Sequence, residues 1–246
     1  QIEPLPSELE PMQAALNRML SQIQEVLGRE RRFIADAAHE MRTPLAVLRV
    51  HAQNLLEAGT EAEKRESLEY LIVGVDRTSR LVNQLLTMAR LEPQSIAPPL
   101  QTVDLTATVR EGLVQLTPWL LSKGLELTFD VSDVPYITHT DPVAINIALN
   151  NLVTNAANFS PEHGLITVRL TKINGHFQLA VEDQGPGINE AERERLFERF
   201  YSRGNDQGAG LGLTIVQTIA VRLKGRIHLD NLPDGGLCAT LELPVN

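Results

Sequence analysis

His39 and Glu40 stand side by side in the run FIADAAHEMRTPLAVLR, residues 33–49, with Thr43 and Pro44 one turn later. An imidazole with one ring nitrogen free can attack phosphorus, while a neighbouring carboxylate holds or removes the proton on the other nitrogen. Thr43 lies four residues past His39 and shares its helix face. Pro44 cannot donate a backbone hydrogen bond and costs a helix interior roughly 3 kcal/mol, so tertiary packing must hold that segment. Taken alone, the pair reads more readily as a surface His beside a surface Glu.

Three further stretches carry candidate chemistry. Asn151 and Asn155 fall at i and i+4 in NLVTNAANFS, where two carboxamide oxygens can take a hard cation such as Mg²⁺ together with its waters. Asn is a poor helix former, which makes a plain helix-face pair an incomplete account. In DQGPGI, Asp183 ends a strand before a glycine-rich turn, and its carboxylate can accept from the exocyclic amine of adenine. The same residues also suit a plain strand-ending turn. In GAGLGL, Gly208, Gly210 and Gly212 open a helix, where phosphates can approach backbone N–H groups and the favourable end of the helix dipole. Asp230 lies about 20 residues on, as a dinucleotide fingerprint requires. The polar run before Gly208 is no strand, however, and Leu213 breaks that pattern. Between these stretches the aromatic cluster FERFY, residues 197–201, reads by itself as core or hinge.

The elements that must position these groups follow from periodicity. Leu9, Met12, Leu16, Met19, Ile23, Val26 and Leu27 predict an amphipathic helix running into the next segment. Ile34, Ala38, Met41, Leu45, Leu48, Ala52 and Leu55 then recur at alternating four- and three-residue steps, a helix-bundle seam. His39 sits one residue past a seam position and faces outward. Gly59 stops the helix, and Leu68, Leu71, Val75, Thr78, Val82, Leu85 and Ala89 repeat the seam. One hairpin cannot bury both stripes, so two copies pairing as a four-helix bundle are expected.

The proline-bearing stretch EPQSIAPPLQ, residues 92–101, predicts a linker. Beyond it, helices are expected over 105–122, 142–158, 190–197 and 211–224. Strands are expected over 125–131, 136–140, 166–173, 177–182, 226–231 and 237–243, with Asn174-Gly175 as a hairpin turn. Strands clustered with helices on one face form an α+β sandwich.

Composition narrows the functional classes. The 246 residues are 43% hydrophobic and 4% aromatic, enough for an aliphatic core, and the net charge of −9 disfavours nucleic acid as a main partner. The basic patch at Arg29, Arg31 and Arg32 reads as a solvated helix face. A single cysteine excludes a disulfide within the chain, the histidines show no metal spacing, and no apolar run reaches the ~18 residues of a membrane span. A chain opening on Gln1 reads as a piece of something longer.

In this order, HEMRTP, the Asn151/Asn155 helix, DQGPGI, FERFY and GAGLGL resemble the sensor histidine kinases of bacterial two-component systems, over nearly the whole chain. RERRFIADAAHEMRTPL is most similar to the subgroup that includes the QseC and PmrB sensors. The resemblance implies a HAMP relay segment over 1–28, a dimerisation and phosphotransfer hairpin over 29–93, a linker over 94–101 and an ATP-binding GHKL (Bergerat) sandwich over 102–246. It implies His39 as phospho-acceptor, Glu40 as its acid/base partner, and Thr43 as the residue that positions water for dephosphorylating a response regulator.

ATP and Mg²⁺ are the implied cofactors, with Asn151 and Asn155 at the metal and phosphates and Asp183 at the adenine. Asn158, Phe159, Gly185, Gly187, Ile188, Phe200, Tyr201, Arg203, Gly208, Gly210, Leu211, Gly212 and Leu213 complete the expected nucleotide site. The implied partners are a second copy through residues 30–92 and a receiver domain, within a protein of the inner membrane. Two positions depart from the family pattern: Asn158 and Ser202 stand where relatives carry basic residues, with Arg199 or Arg203 as substitutes for the second. A nucleotide-binding dimeric scaffold, and an ATPase of gyrase or chaperone type, are the alternatives.

Overall fold

The computed structural model describes residues 10–91, 100–132, 134–201 and 210–245. The chain divides into two compact units, Gln1–Ser79 and Arg80–Asn246. In the first, helix α1 (Glu10–Glu57) runs unbroken through Pro44 and is followed by the first part of α2 (Glu61–Leu91), whose residues from Arg80 onward belong to the second unit. The turn between them is set by a capping box. The Glu63 amide donates to Thr60 Oγ1 (3.2 Å), and the Glu63 carboxylate accepts from the Thr60 and Gly59 amides at 3.0 and 2.9 Å. Those hydrogen bonds, the Thr60 amide first, hold the Glu63 carboxyl below its ordinary pKa. The two helices approach so closely at Gly74 that an added Cβ would lie 2.7 Å from Leu48 Cδ2. His51 stacks on Tyr70 at 4.8 Å between ring centroids.

The seam is only half covered within one chain. Met41, Leu48 and Leu55, which share one heptad position, are partly buried, whereas Ala38, Leu45 and Ala52, which share the other, are exposed, Leu45 by 50%, as is Val75 of α2 by 51%. The periodicity asks for this division, one heptad position facing the hairpin partner and the other left for a further helix pair.

The second unit is an α/β sandwich. Strands β1 (Gln101–Asp104) and β3 (Ile137–Thr140) form a small antiparallel pair. The main sheet has the order β2 (Glu126–Val131), β4 (Leu165–Ile173), β5 (His176–Glu182), β7 (Leu237–Pro244), β6 (Arg226–Asn231). Only β2 and β4 are parallel. Helices α3 (Leu105–Ser122), α4 (Pro142–Phe159) and α5 (Gly212–Arg222) supply the other layer. Leu149, Leu152, Phe177, Ile215, Ile219 and Leu241 are each 2% exposed or less, and burying each side chain of this kind stabilises the fold by about 1.5–3 kcal/mol. Asp141 caps α4 through the Val143 and Ala144 amides at 3.0 and 3.1 Å, with Pro142 in the first turn.

Two local expectations are corrected. Residues 190–197 are two 3-10 turns, Glu190–Glu192 and Arg195–Phe197, rather than one helix. The segment is too short to sustain an α-helix by itself, and its Phe197 carbonyl is engaged by Thr214 Oγ1 at 3.0 Å. The expected linker also ends earlier: Gln101 already pairs with Thr140 in β1, a strand that periodicity did not reveal.

Candidate functional site

Two separate places in the molecule collect the chemistry-bearing residues. The first is the His39 turn of α1. His39 and Thr43 are exposed on the same face, and Glu40 is partly buried beside them. Pro44 has no N–H for the carbonyl four residues back, which is that of Glu40. The helix nevertheless continues through this turn. An accessible imidazole beside a carboxylate and a hydroxyl is the outcome.

The second is a cavity of about 300 Å³ in the sandwich. Asn151, Thr154, Asn155, Asn158 and Phe159 line one side from α4, a stripe at helical spacing. Asp183, Pro186, Gly187 and Ile188, from the loop after β5, line another, with Gln84 of α2 and Leu196, Tyr201, Gly210, Gly212, Leu213 and Leu237 completing the lining.

Asp183 is 5% exposed, and its Oδ1 accepts from the Gly185 amide (2.8 Å) and the Leu237 amide (3.1 Å). Oδ2 has no hydrogen-bond partner among the described residues, so an acceptor oxygen remains for a ligand. Burial pushes the Asp183 carboxyl above the usual range, against the two amide bonds, which lower it.

The loop holding Asp183 is tightly built. Gly185 does not line the cavity; its role is steric, because an added Cβ would lie 2.7 Å from the Phe159 carbonyl oxygen. Gly187 has φ 66°, and a Cβ there would meet Asn231 Oδ1 at 2.6 Å. Asn231 clamps the loop from β6, accepting from the Ile188 amide and donating to the Ile188 carbonyl, both at 2.7 Å. Gly236, at φ 103°, leaves no room for any side chain against the Asp183 carbonyl.

On the far side, the Phe200 amide donates to Gly210 O at 3.0 Å. A Cβ on Gly210 (φ 64°) would approach the Phe200 and Tyr201 backbone to 2.6 Å. Phe200 itself takes φ 63°, a strained setting for an aromatic residue, and does not line the cavity. Tyr201 does, with Arg195 at 4.5 Å over its ring. Leu211 is fully buried at the start of α5 and serves the core instead of the cavity. Arg203 and Gly208 lie outside the described residues, as does Ser202.

Asn151 donates from Nδ2 to Ile147 O at 2.8 Å, which commits Oδ1 as the free acceptor. An added Cβ on Gly212 would lie 3.3 Å from that oxygen, so it points toward the start of α5. The Asn155 carboxamide has no protein hydrogen bond among the described residues. Two neutral oxygens on one helix suit a hard divalent cation that takes its remaining ligands from phosphates and water. Among the described residues no cluster of three or more His, Cys, Asp or Glu could hold a metal unaided.

Sequence reasoning missed Gln84, Thr154, Pro186, Leu196 and Leu237 in the lining, and the clamps Asn231 and Gly236. Pro186 falls inside the DQGPGI stretch, which was a signal. Leu237 and Asn231 join Asp183 and Ile188 only through strand pairing, and no local pattern marks them.

Comparison with known proteins adds an independent line. Residues 140–246 match the family described as histidine kinase-, DNA gyrase B- and HSP90-like ATPase, and residues 29–94 match the His kinase A (phospho-acceptor) domain. The swarming motility regulation sensor protein RssA of Serratia marcescens is 32% identical over 96% of this chain and 51% of its own length. The sensor protein kinase PmrB of Pseudomonas aeruginosa is 33% identical over 99% of this chain and 51% of its own length. The solved mycobacterial sensor histidine kinase MprB is 32% identical over 60% of this chain and 98% of that chain, with a TM-score of 0.54. The chain spans about half the length of the curated relatives it matches.

Proposed function

Because this chain belongs to the sensor histidine kinase family, we propose that it is an ATP-dependent protein-histidine kinase that phosphorylates itself on His39 and passes the phosphoryl group to an aspartate of a response regulator. The free imidazole nitrogen of His39 attacks the γ-phosphorus, the bond to the β-γ bridging oxygen breaks, and ADP leaves. Glu40 holds the proton of the other ring nitrogen and stabilises the imidazolium character that develops. The phosphoryl group then moves from nitrogen to the regulator's carboxylate, and His39 returns neutral.

The observation that carries the ATP reading is Asp183, whose Oδ1 is locked by two backbone amides while Oδ2 is left for the adenine amine. Asn151 and Asn155 would hold Mg²⁺, which when bound offsets the charge of the phosphates. Phe159, Ile188 and Leu213 give the base apolar walls, and the Gly210–Gly212 backbone leaves room for the phosphate chain.

The reading extends to a homodimer through residues 30–92, for which the exposed half of the seam is the support. It extends to a phosphatase activity toward the regulator, with Thr43 orienting the water. Residues 1–28 are read as the end of a HAMP relay helix within an inner-membrane sensor, and the unbroken run of α1 from Glu10 to the His39 turn suits that role. No helix among the described residues is long and apolar enough to cross a membrane.

The test is incubation with γ-labelled ATP and Mg²⁺. Acid-labile, base-stable label on the parent chain and none on His39→Ala is the expected result. Label retained by His39→Ala refutes the assignment. Nucleotide binding without any label favours the scaffold alternative, to which a cavity lined by no cation among its described residues lends support.

A further inference from the structure

The cavity is read as the seat of a polyanion, yet its described lining offers one carboxylate, Asp183, and no Lys or Arg. Bringing a triphosphate there without an opposing charge is unfavourable in a partly desolvated site. A cation is nevertheless held one hydrogen bond away. Lys123, at the C-terminus of α3, donates from Nζ to Oδ1 of Asn158 at 3.2 Å. Asn158 stands in the last turn of α4, on the stripe that Asn151 and Asn155 begin. Lys123 therefore sits at the end of a row of three carboxamides that lines the cavity.

The way Lys123 is held is unlike that of a solvated surface lysine. Its Nζ lies 4.8 Å from the centroid of the Trp119 ring, one turn earlier on α3. Burial pushes the ammonium below its ordinary pKa, with the Arg80 guanidinium adding to that direction. No carboxylate lies within ion-pair distance of it among the described residues. A cation kept partly buried, beside a second cation and without an anionic partner, is costly for the fold and is relieved when an anion arrives.

We propose that Lys123 is the cation of this nucleotide site, stabilising the phosphate chain from the Asn158 end of the carboxamide row. The assignment rests on the reading of the cavity as an adenine-nucleotide site. It identifies which residue of this chain supplies the charge that position 158 itself does not.

The experiment is calorimetric titration of the parent chain, Lys123→Gln, Lys123→Arg and the double variant Lys123→Gln/Asn158→Lys with adenosine, ADP and ATP, with Mg²⁺ present. Lys123→Gln keeps an amide N–H for Asn158 but carries no charge. It should bind ATP ~10-fold more weakly, a change of about 1.4 kcal/mol, ADP by a smaller factor, and adenosine as the parent does. Lys123→Arg should retain affinity, and Asn158→Lys should restore ATP binding in the Lys123→Gln background. Raising the salt concentration should shrink the difference between parent and Lys123→Gln.

An ATP-to-adenosine affinity ratio that is the same in Lys123→Gln and parent overturns the proposal. An equal loss for all three ligands also overturns it, because that pattern marks a purely structural lysine. If the parent binds no adenine nucleotide, the reading of the cavity fails and this assignment fails with it. Parent binding with an unchanged Lys123→Gln removes this assignment alone.

Discussion

Replacing Asp183 by Asn separates recognition of the base from integrity of the fold. The side chain keeps its shape, and its Oδ1 can still accept from the Gly185 and Leu237 amides at 2.8 and 3.1 Å. What changes is the other terminal atom. Under the proposed reading Oδ2 accepts from the adenine amine, and the NH₂ that replaces it opposes that amine with another donor. A hydrogen bond to a charged acceptor is worth about 1.5–3 kcal/mol, and a buried donor left unsatisfied adds to the loss. A deficit of about 2–3 kcal/mol corresponds to ~30- to ~150-fold weaker adenine binding.

Stability should move the other way. Burial raises the pKa of Asp183 above its unfolded value, so the folded state binds the proton more readily than the unfolded one. The resulting contribution favours folding at acid pH and is lost as pH rises through the folded pKa. The neutral amide escapes that loss, so the ligand-free variant should melt at or above the parent's temperature at neutral pH. In the parent, adenosine affinity should fall as pH drops through the raised carboxyl pKa, because the protonated oxygen turns from acceptor to donor. The variant should show no such pH dependence. Calorimetry with adenosine across pH, beside thermal melts, makes the measurement. Unchanged adenosine affinity in Asp183→Asn at neutral pH refutes the role of this carboxylate.

The exposed half of the seam predicts a dimer, which sedimentation equilibrium at roughly tens of micromolar should detect. Leu45→Glu and Val75→Glu, each at a position about half exposed in the single chain, should shift it to monomer, and a monomeric parent contradicts the bundle. Thr43 has a hydroxyl and no group that titrates at neutral pH, so it can orient water but cannot act as a general base. Thr43→Ala should keep autophosphorylation within a few-fold and lose dephosphorylation of a phosphorylated regulator by ~10-fold or more, at least about 1.4 kcal/mol in barrier. Glu40→Ala should instead impair autophosphorylation. The opposite split between these two variants removes the roles assigned to this turn of α1.

Local pattern was enough for the helices of the hairpin. Steps of three and four residues from Ile34 to Leu55 and from Leu68 to Ala89 report a helix face, and helix geometry depends on near neighbours alone. The same holds for the Asp141-Pro142 start of α4 and for the Asn174-Gly175 turn, whose residues take φ 51° and 77°. The strand-ending position of Asp183 and the carboxamide spacing on α4 were legible for that reason too. The 3-10 turns at 190–197 were not, because a short segment takes its form from what it packs against. Strand β1 was hidden because its partner, β3, begins more than thirty residues later in the sequence.

Tertiary structure alone decided how the site is assembled. The Leu237 amide reaches Asp183, and Asn231 reaches Ile188, across the pairing of β5, β7 and β6. Gly236 is required by a carbonyl more than fifty residues away. Lys123 meets Asn158 only because α3 and α4 pack together in the layer over the sheet. Residue type and spacing name the groups that can do chemistry. Which oxygen is left free, and which charge stands near it, depends on contacts between residues far apart in the chain.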